Sequence, residues 1–216
     1  MKKTKKRLNT NKSLISFVGA PWTLAIYMLG LKKNKEEIDF IKLKNKELEL
    51  KIIIDKLNEY LCLHIENQIN AGADIVQIFD SWAGLIPSTN LYDYCYAPNR
   101  KLVDFCKNKK IPVICFPRGI NKNYLEFAKI TKPDCLSLDY EIDPKWAQEN
   151  LSKYCLQGGM DPKILFKSEI EIFNEVDKYL NIFKESPYVF NLGHGLLPET
   201  NPDVLEKVIE RVKNFK

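Results

Sequence analysis

Histidines, metal-ligand spacings and nucleotide fingerprints are what this chain has least of, and each shortage removes a class of function. Of its 216 residues only His64 and His194 are histidines. The six cysteines, at 62, 95, 106, 115, 135 and 155, make no C-x-x-C pair. A zinc site would have to gather scattered thiols without a histidine cluster, so reduced thiols of a cytoplasmic protein are the expectation. No G-x-G-x-x-G follows the first apolar run, which argues against a dinucleotide site. No G-x-S-x-G elbow surrounds Ser81, so a hydrolase nucleophile is unsupported. A strong charge of one sign is lacking too: 33 basic against 28 acidic residues leave a net +5. That balance mildly favours anionic ligands and is too weak to imply nucleic acid.

What is present is enough apolar material for a full core. Hydrophobic residues make up 45% of the chain, which on length alone suggests one domain over 1–216. Residues 1–12 form a basic leader, and Ser13 to Leu31 then run 19 residues without a charge. A hydropathy scan would flag that run as a membrane span. Pro21 in mid-run, the hydroxyls of Ser13, Ser16, Thr23 and Tyr27, and a Gly19-Ala20-Pro21 break argue instead for two buried elements, and no membrane partner is expected.

Beyond the leader, short apolar runs alternate with helical patterns, the signature of parallel strands with crossover helices. Strands are predicted at 14–18, 74–79, 111–116, 135–138, 154–157 and 188–192. Helix starts are legible at Ser168 with Glu171, a capping box, and at Asp143-Pro144 and Asn201-Pro202, where a capping side chain precedes a proline at the first helical position. A helix over roughly 46–70 repeats Ile53, Leu57, Leu61, Ile65 and Ile69. His64 lies beside that stripe and is expected to be packed rather than catalytic. The last helix carries Val204, Leu205, Val208, Ile209 and Val212 as a core-facing stripe. The lysine- and glutamate-rich stretch 32–46 reads as a solvated loop or frayed helix start.

The chemically capable residues fall at strand C-terminal ends: Asp80 and Ser81, Pro117 and Arg118, Asp139, Gln157-Gly158-Gly159, and Gly193-His194-Gly195. That edge is where βα loops collect catalytic groups in parallel α/β folds, so one shared cleft is expected. Each has a plainer reading. Asp80 and Asp139 serve equally as caps for the following helices, and Ser81 as a turn residue. His194 between two glycines favours a functional role, because an imidazole there can bind or donate to carboxylates.

Four segments carry a resemblance: FVGAPWTLAIYML at 17–29, QINAGADIVQIFDSWAG at 68–84, QGGMDP at 157–162 and NLGHGLLPETNPD at 191–203, with FPRG at 116–119 and LSLDY at 136–140 between them. Together they resemble the uroporphyrinogen decarboxylases over essentially the whole chain. The resemblance implies a (β/α)₈ barrel, a homodimer and the cofactor-free conversion of uroporphyrinogen III to coproporphyrinogen III. It also implies that Tyr27, Ser81 and His194 contact substrate and serve catalysis around one cavity. On periodicity alone Tyr27 reads as core.

Departures accompany the matches. The arginine-rich stretch and the pyrrole-cradling aspartate of the family's N-terminal third have no counterpart here. The chain enters the pattern near the third β/α unit, its leader reading as the end of a preceding helix. About six of eight units are therefore expected, and inactivity of the isolated chain. The alternatives are one half of a split enzyme or a non-catalytic barrel remnant. Gly30-Leu31-Lys32-Lys33-Asn34 replaces a glycine-rich run of the family. A corrinoid or thiol methyltransferase is disfavoured by the lack of any His-x-Cys.

Overall fold

The computed structural model describes residues 1–32 and 37–215. They form two compact units, Met1–Asp134 and Cys135–Lys216, each built on three parallel strands. In the first unit β1 (Ile15–Gly19), β2 (Ile75–Asp80) and β3 (Val113–Pro117) pair side by side, with Ile15 opposite Ile75 and Val76 opposite Val113. Each lies within two residues of its expected place, the usual slack at strand ends. All five residues of β3 are buried, as a strand covered on both faces requires.

Helices make the crossovers. α1 (Lys2–Arg7) precedes β1; α2 (Pro21–Met28), α3 (Phe40–Asn45) and α4 (Glu47–Asn70) join β1 to β2. α5 (Ala97–Asn108) joins β2 to β3, and α6 (Tyr124–Thr131) follows. Pro21 opens α2 at a position where a missing N–H leaves nothing unpaired. Trp22, Ala25 and Ile26 are then fully buried, worth roughly 2 to 3 kcal/mol for each large side chain. The charge-free run is thus divided between β1 and α2, and no described helix is long and apolar enough to cross a membrane. The basic leader folds as α1 and is tied to β2 through Lys5, whose ammonium lies 2.7 Å from an Asp74 carboxylate oxygen.

Three expectations for this unit need correction. On α4 the buried line is Leu50, Ile54, Asn58, Leu61 and Ile65, while Ile53, Leu57 and Ile69 flank it half-buried. His64 is not packed but exposed, because one residue before Ile65 is about 100° round the helix from the seam. Its Nε2 lies 3.1 Å from the Gln68 Nε2. The stretch 32–46 is not simply solvated: Ile38 and Leu43 are buried, and Asp39 caps α3 by accepting the Lys42 N–H at 2.9 Å. Isolated anchors without a period hold it, which is why periodicity missed them. Lys33 and Asn34 lie outside the described residues.

The second unit carries β4 (Cys135–Leu138), β5 (Cys155–Gly158) and β6 (Tyr188–Val189), with Cys135 opposite Cys155 and Leu156 opposite Tyr188. α7 (Pro144–Leu151), α8 (Glu169–Ile182) and α9 (Pro202–Lys213) follow the strands in turn. All three expected caps form: Asp143 accepts the Trp146 N–H, Asn201 the Asp203 N–H, and Ser168 and Glu171 make the reciprocal capping box. β6 stops three residues short of expectation, although Leu192 still bridges to Met160. The α9 stripe is a further correction. Only Val208 is buried, whereas Leu205, Ile209 and Val212 line an open apolar groove with Leu165, Phe190 and Leu192. Among the described residues no cysteine forms a disulfide.

Candidate functional site

The C-terminal ends of β1 and β2 build the site of the first unit. β1 ends at Gly19, and α2 carries Tyr27 to an exposed position at its far end, so the phenol that periodicity reads as core is open to solvent. β2 ends in Asp80, and half-buried Ser81 is followed by buried Trp82. The two elements are clamped together around Trp82. Its backbone N–H donates to the Thr23 hydroxyl at 3.2 Å, and its carbonyl accepts the Trp22 indole N–H at 2.9 Å. The Tyr27 ring meets the Trp82 ring edge-on, centroids 6.0 Å apart. Tyr27 and the Ser81-Trp82 turn are therefore brought together by side chains 59 and 60 residues apart in sequence.

Asp80 lies beside this clamp and does not cap the helix that follows it in sequence; it accepts instead from the Thr23 backbone N–H in the first turn of α2. Its Oδ1 accepts the Thr23 hydroxyl at 2.8 Å and its Oδ2 accepts the Asn99 amide at 2.9 Å. A π-helical turn, Tyr92–Tyr96, leads into α5; it sets Asn99 against Asp80 and stacks Tyr94 on Trp22. Burial pushes the Asp80 carboxyl from an ordinary 3.8 up to about 6, opposed by its hydrogen bonds from Thr23, Asn99 and Cys95. With both oxygens engaged and 1% exposure, Asp80 positions other groups and does not itself face a ligand. The plainer reading, a helix cap, had the right idea of a structural role but the wrong partner.

The turn after β3 closes against the same loop. The Gly84 N–H donates to the Arg118 carbonyl at 2.8 Å, and the Arg118 N–H to the Asp80 carbonyl at 3.2 Å. A Cβ on Gly84 would stand 2.7 Å from the Gly119 carbonyl oxygen, so glycine is required for that crossing. Thr23, Asn99 and Trp82 are the residues that reading the sequence missed. The one available signal is Thr23, whose hydroxyl is, with that of Tyr27, one of two on an apolar helix.

In the second unit His194 is exposed on the loop after β6. Gly193 matters through close approach: a Cβ there would lie 2.4 Å from the Tyr140 nitrogen, and its own N–H donates to the Met160 carbonyl at 2.8 Å. Gly195 has nothing within 4 Å of such a Cβ, so only one of the two flanking glycines is constrained by space. Asp139, buried, accepts the Glu141 N–H at 3.0 Å and shapes the turn before α7, but it does not cap that helix as its plainer reading expects, because Asp143 takes the cap position. Gln157 donates to the Ser137 hydroxyl at 3.2 Å, while the Tyr188 and Tyr179 hydroxyls hold the Gly158 and Gly159 carbonyls at 2.8 Å each. The end of β5 is thus held by Gln157 and Tyr188, and the start of the loop after it by Tyr179. The phenol at the far end of α2 and the hydroxyl and imidazole that follow β2 and β6 are groups suited to binding carboxylates and polar heterocycles. Among the described residues no group of three His, Cys, Asp or Glu side chains could hold a metal.

Comparison with known proteins gives this geometry a family. A solved methyltransferase from Methanosarcina mazei superimposes with a TM-score of 0.80 at 15% identity, over 99% of this chain and 62% of that one. A B12-independent methionine synthase from Shewanella sp. W3-18-1 does so with 0.65 at 13% identity, over 98% and 64%. Those likenesses show the fold alone: an incomplete (β/α)₈ barrel, six β/α units among the described residues against the eight of a closed one. In sequence, uroporphyrinogen decarboxylases from Cereibacter sphaeroides and Orientia tsutsugamushi are 32% and 39% identical, over 96% and 98% of this chain. The chain spans 62% and 63% of their lengths. The family model for uroporphyrinogen decarboxylase (URO-D) matches residues 1–215, and the chain belongs to that family.

Proposed function

We propose that the chain serves the decarboxylation of the four acetate arms of uroporphyrinogen III to methyl groups, giving coproporphyrinogen III, in a cytoplasmic homodimer. The observation that supports this reading is the contact of Tyr27, at the far end of α2, with Trp82 in the turn that Ser81 opens after β2, in segments that match the family. Protonation of a pyrrole carbon turns the ring into an electron sink. The bond from the arm's methylene to its carboxylate then breaks, carbon dioxide leaves, and the methylene takes a proton while the ring returns one. Tyr27, Ser81 and His194 bind and orient the substrate's carboxylates and rings.

We further propose that these 216 residues alone do not turn over. Six β/α units, and 62% of the relatives' length, support a chain that needs the rest of the barrel, whether joined or supplied as a second polypeptide. The test is an anaerobic incubation with uroporphyrinogen III, products separated by carboxylate count. The chain alone is expected to yield no more than traces of coproporphyrinogen. A fusion to the N-terminal third of the Orientia tsutsugamushi relative is expected to yield it. Full turnover by the chain alone refutes the inactivity, and an inert, folded fusion refutes the assignment.

A further inference from the structure

Lys32 stands where the family resemblance leads one to expect glycine, and its surroundings are specific. Its backbone is pinned by an antiparallel bridge to Ile38 and by the Asp39 N–H donating to the Leu31 carbonyl at 2.8 Å, with Leu31 and Ile38 both buried. The ammonium lies 4.6 Å from the centroid of the Trp82 ring and 5.7 Å from that of Tyr27. Such a cation is held by ring faces while keeping its capacity to donate. A second observation is independent of it. Trp82 is 9% exposed, and its indole Nε1 is buried with no hydrogen-bond partner among the described residues. Buried donors are rarely left unmade unless something else supplies the acceptor.

The geometry points to a carboxylate-binding subsite formed by Lys32, the Trp82 indole N–H and the Tyr27 hydroxyl, a specificity element for one acidic arm of the substrate. A carboxylate is an acceptor-only group with two oxygens, able to take a hydrogen bond from each of these donors and to offset the ammonium's charge. The flexible lysine stem lets the ammonium leave the ring face and follow the ligand. This assignment of substrate arm rests on the function proposed above, whereas the subsite itself asks only for a polycarboxylate.

Two probes separate the two ideas: benzenehexacarboxylate, and the stable octacarboxylate uroporphyrin III, each titrated calorimetrically into the full chain at low and moderate salt. Lys32→Gln is expected to weaken both by about tenfold at low salt and to flatten the salt dependence, with Lys32→Arg within about threefold of the parent. Lys44→Gln on α3 makes the same change in net charge and is expected to shift affinity by less than about twofold. Equal effects of the Lys32 and Lys44 substitutions overturn the subsite and leave the functional reading standing. Binding of benzenehexacarboxylate, weakened by Lys32→Gln, with no binding of uroporphyrin by the chain or by its fusion to the N-terminal third of the relative, keeps the subsite and overturns the reading. Binding of neither probe by the chain or by the fusion overturns both.

Discussion

Replacing Asp80 by asparagine should change how stability depends on pH more than it changes stability itself. The carboxyl is fully buried and its pKa is raised from 3.8 to about 6. Between those values the folded chain holds a proton that the unfolded chain has lost, so stability falls as pH rises through the window. A shift of about two units corresponds to about 3 kcal/mol, fully expressed above pH 6 and absent below pH 3.8. The substituted amide has no charge to desolvate. Its carbonyl oxygen can still accept from Asn99, and its NH₂ can donate to Thr23 Oγ1, but of the Thr23 hydroxyl, Thr23 N–H and Cys95 thiol that also meet the carboxylate about two lose their acceptor, at a cost of about 1 kcal/mol each. The variant is therefore expected to be less stable than the parent by about 2 kcal/mol near pH 4 and more stable by about 1 kcal/mol near pH 7. Urea unfolding followed by tryptophan fluorescence, parent and Asp80→Asn side by side from pH 4 to 7.5, reads the difference directly. Acid-sensitive pairs elsewhere, such as Asp177 held low by Arg211, cancel in that subtraction. A difference that stays flat across the window refutes the picture of a buried, proton-hungry carboxyl.

Gly193→Ala should destabilise the chain by about 2 kcal/mol or more in urea titrations, since a Cβ there would sit 2.4 Å from the Tyr140 nitrogen. Gly195→Ala should stay within about 0.5 kcal/mol, and equal effects at the two glycines would contradict the close-approach argument. Ser168→Ala removes the capping box of α8 and should cost about 1 kcal/mol, read as a drop in the urea midpoint without a change in slope; an unchanged midpoint would show that the cap contributes nothing.

Local chemistry was legible in the sequence, and tertiary chemistry was not. The caps at Asp143, Ser168 and Asn201 bond to residues two or three positions away, so their side chains declare themselves in order. Six strands could be placed because buried parallel strands are short, apolar and bounded by turns. By contrast Asp80 reaches Thr23 across 57 residues and Asn99 across 19, and no spacing rule announces such a pairing. The α9 stripe shares one face, as its period predicts, yet is core at Val208 alone, since periodicity reports which residues share a side and not what covers them. Tyr27 shows the converse: a helix apolar nearly all round gives no hint that its final turn stands open.

Turnover by the fusion with the Orientia tsutsugamushi N-terminal third, compared among Tyr27→Phe, Ser81→Ala and His194→Gln, tests the central claim most directly. Each substitution removes one proposed contact to the substrate and is expected to lower kcat/KM for uroporphyrinogen III by about tenfold or more, with porphyrinogens of seven, six and five carboxylates accumulating. Parent-like rates and a parent-like product pattern in all three folded variants would contradict it.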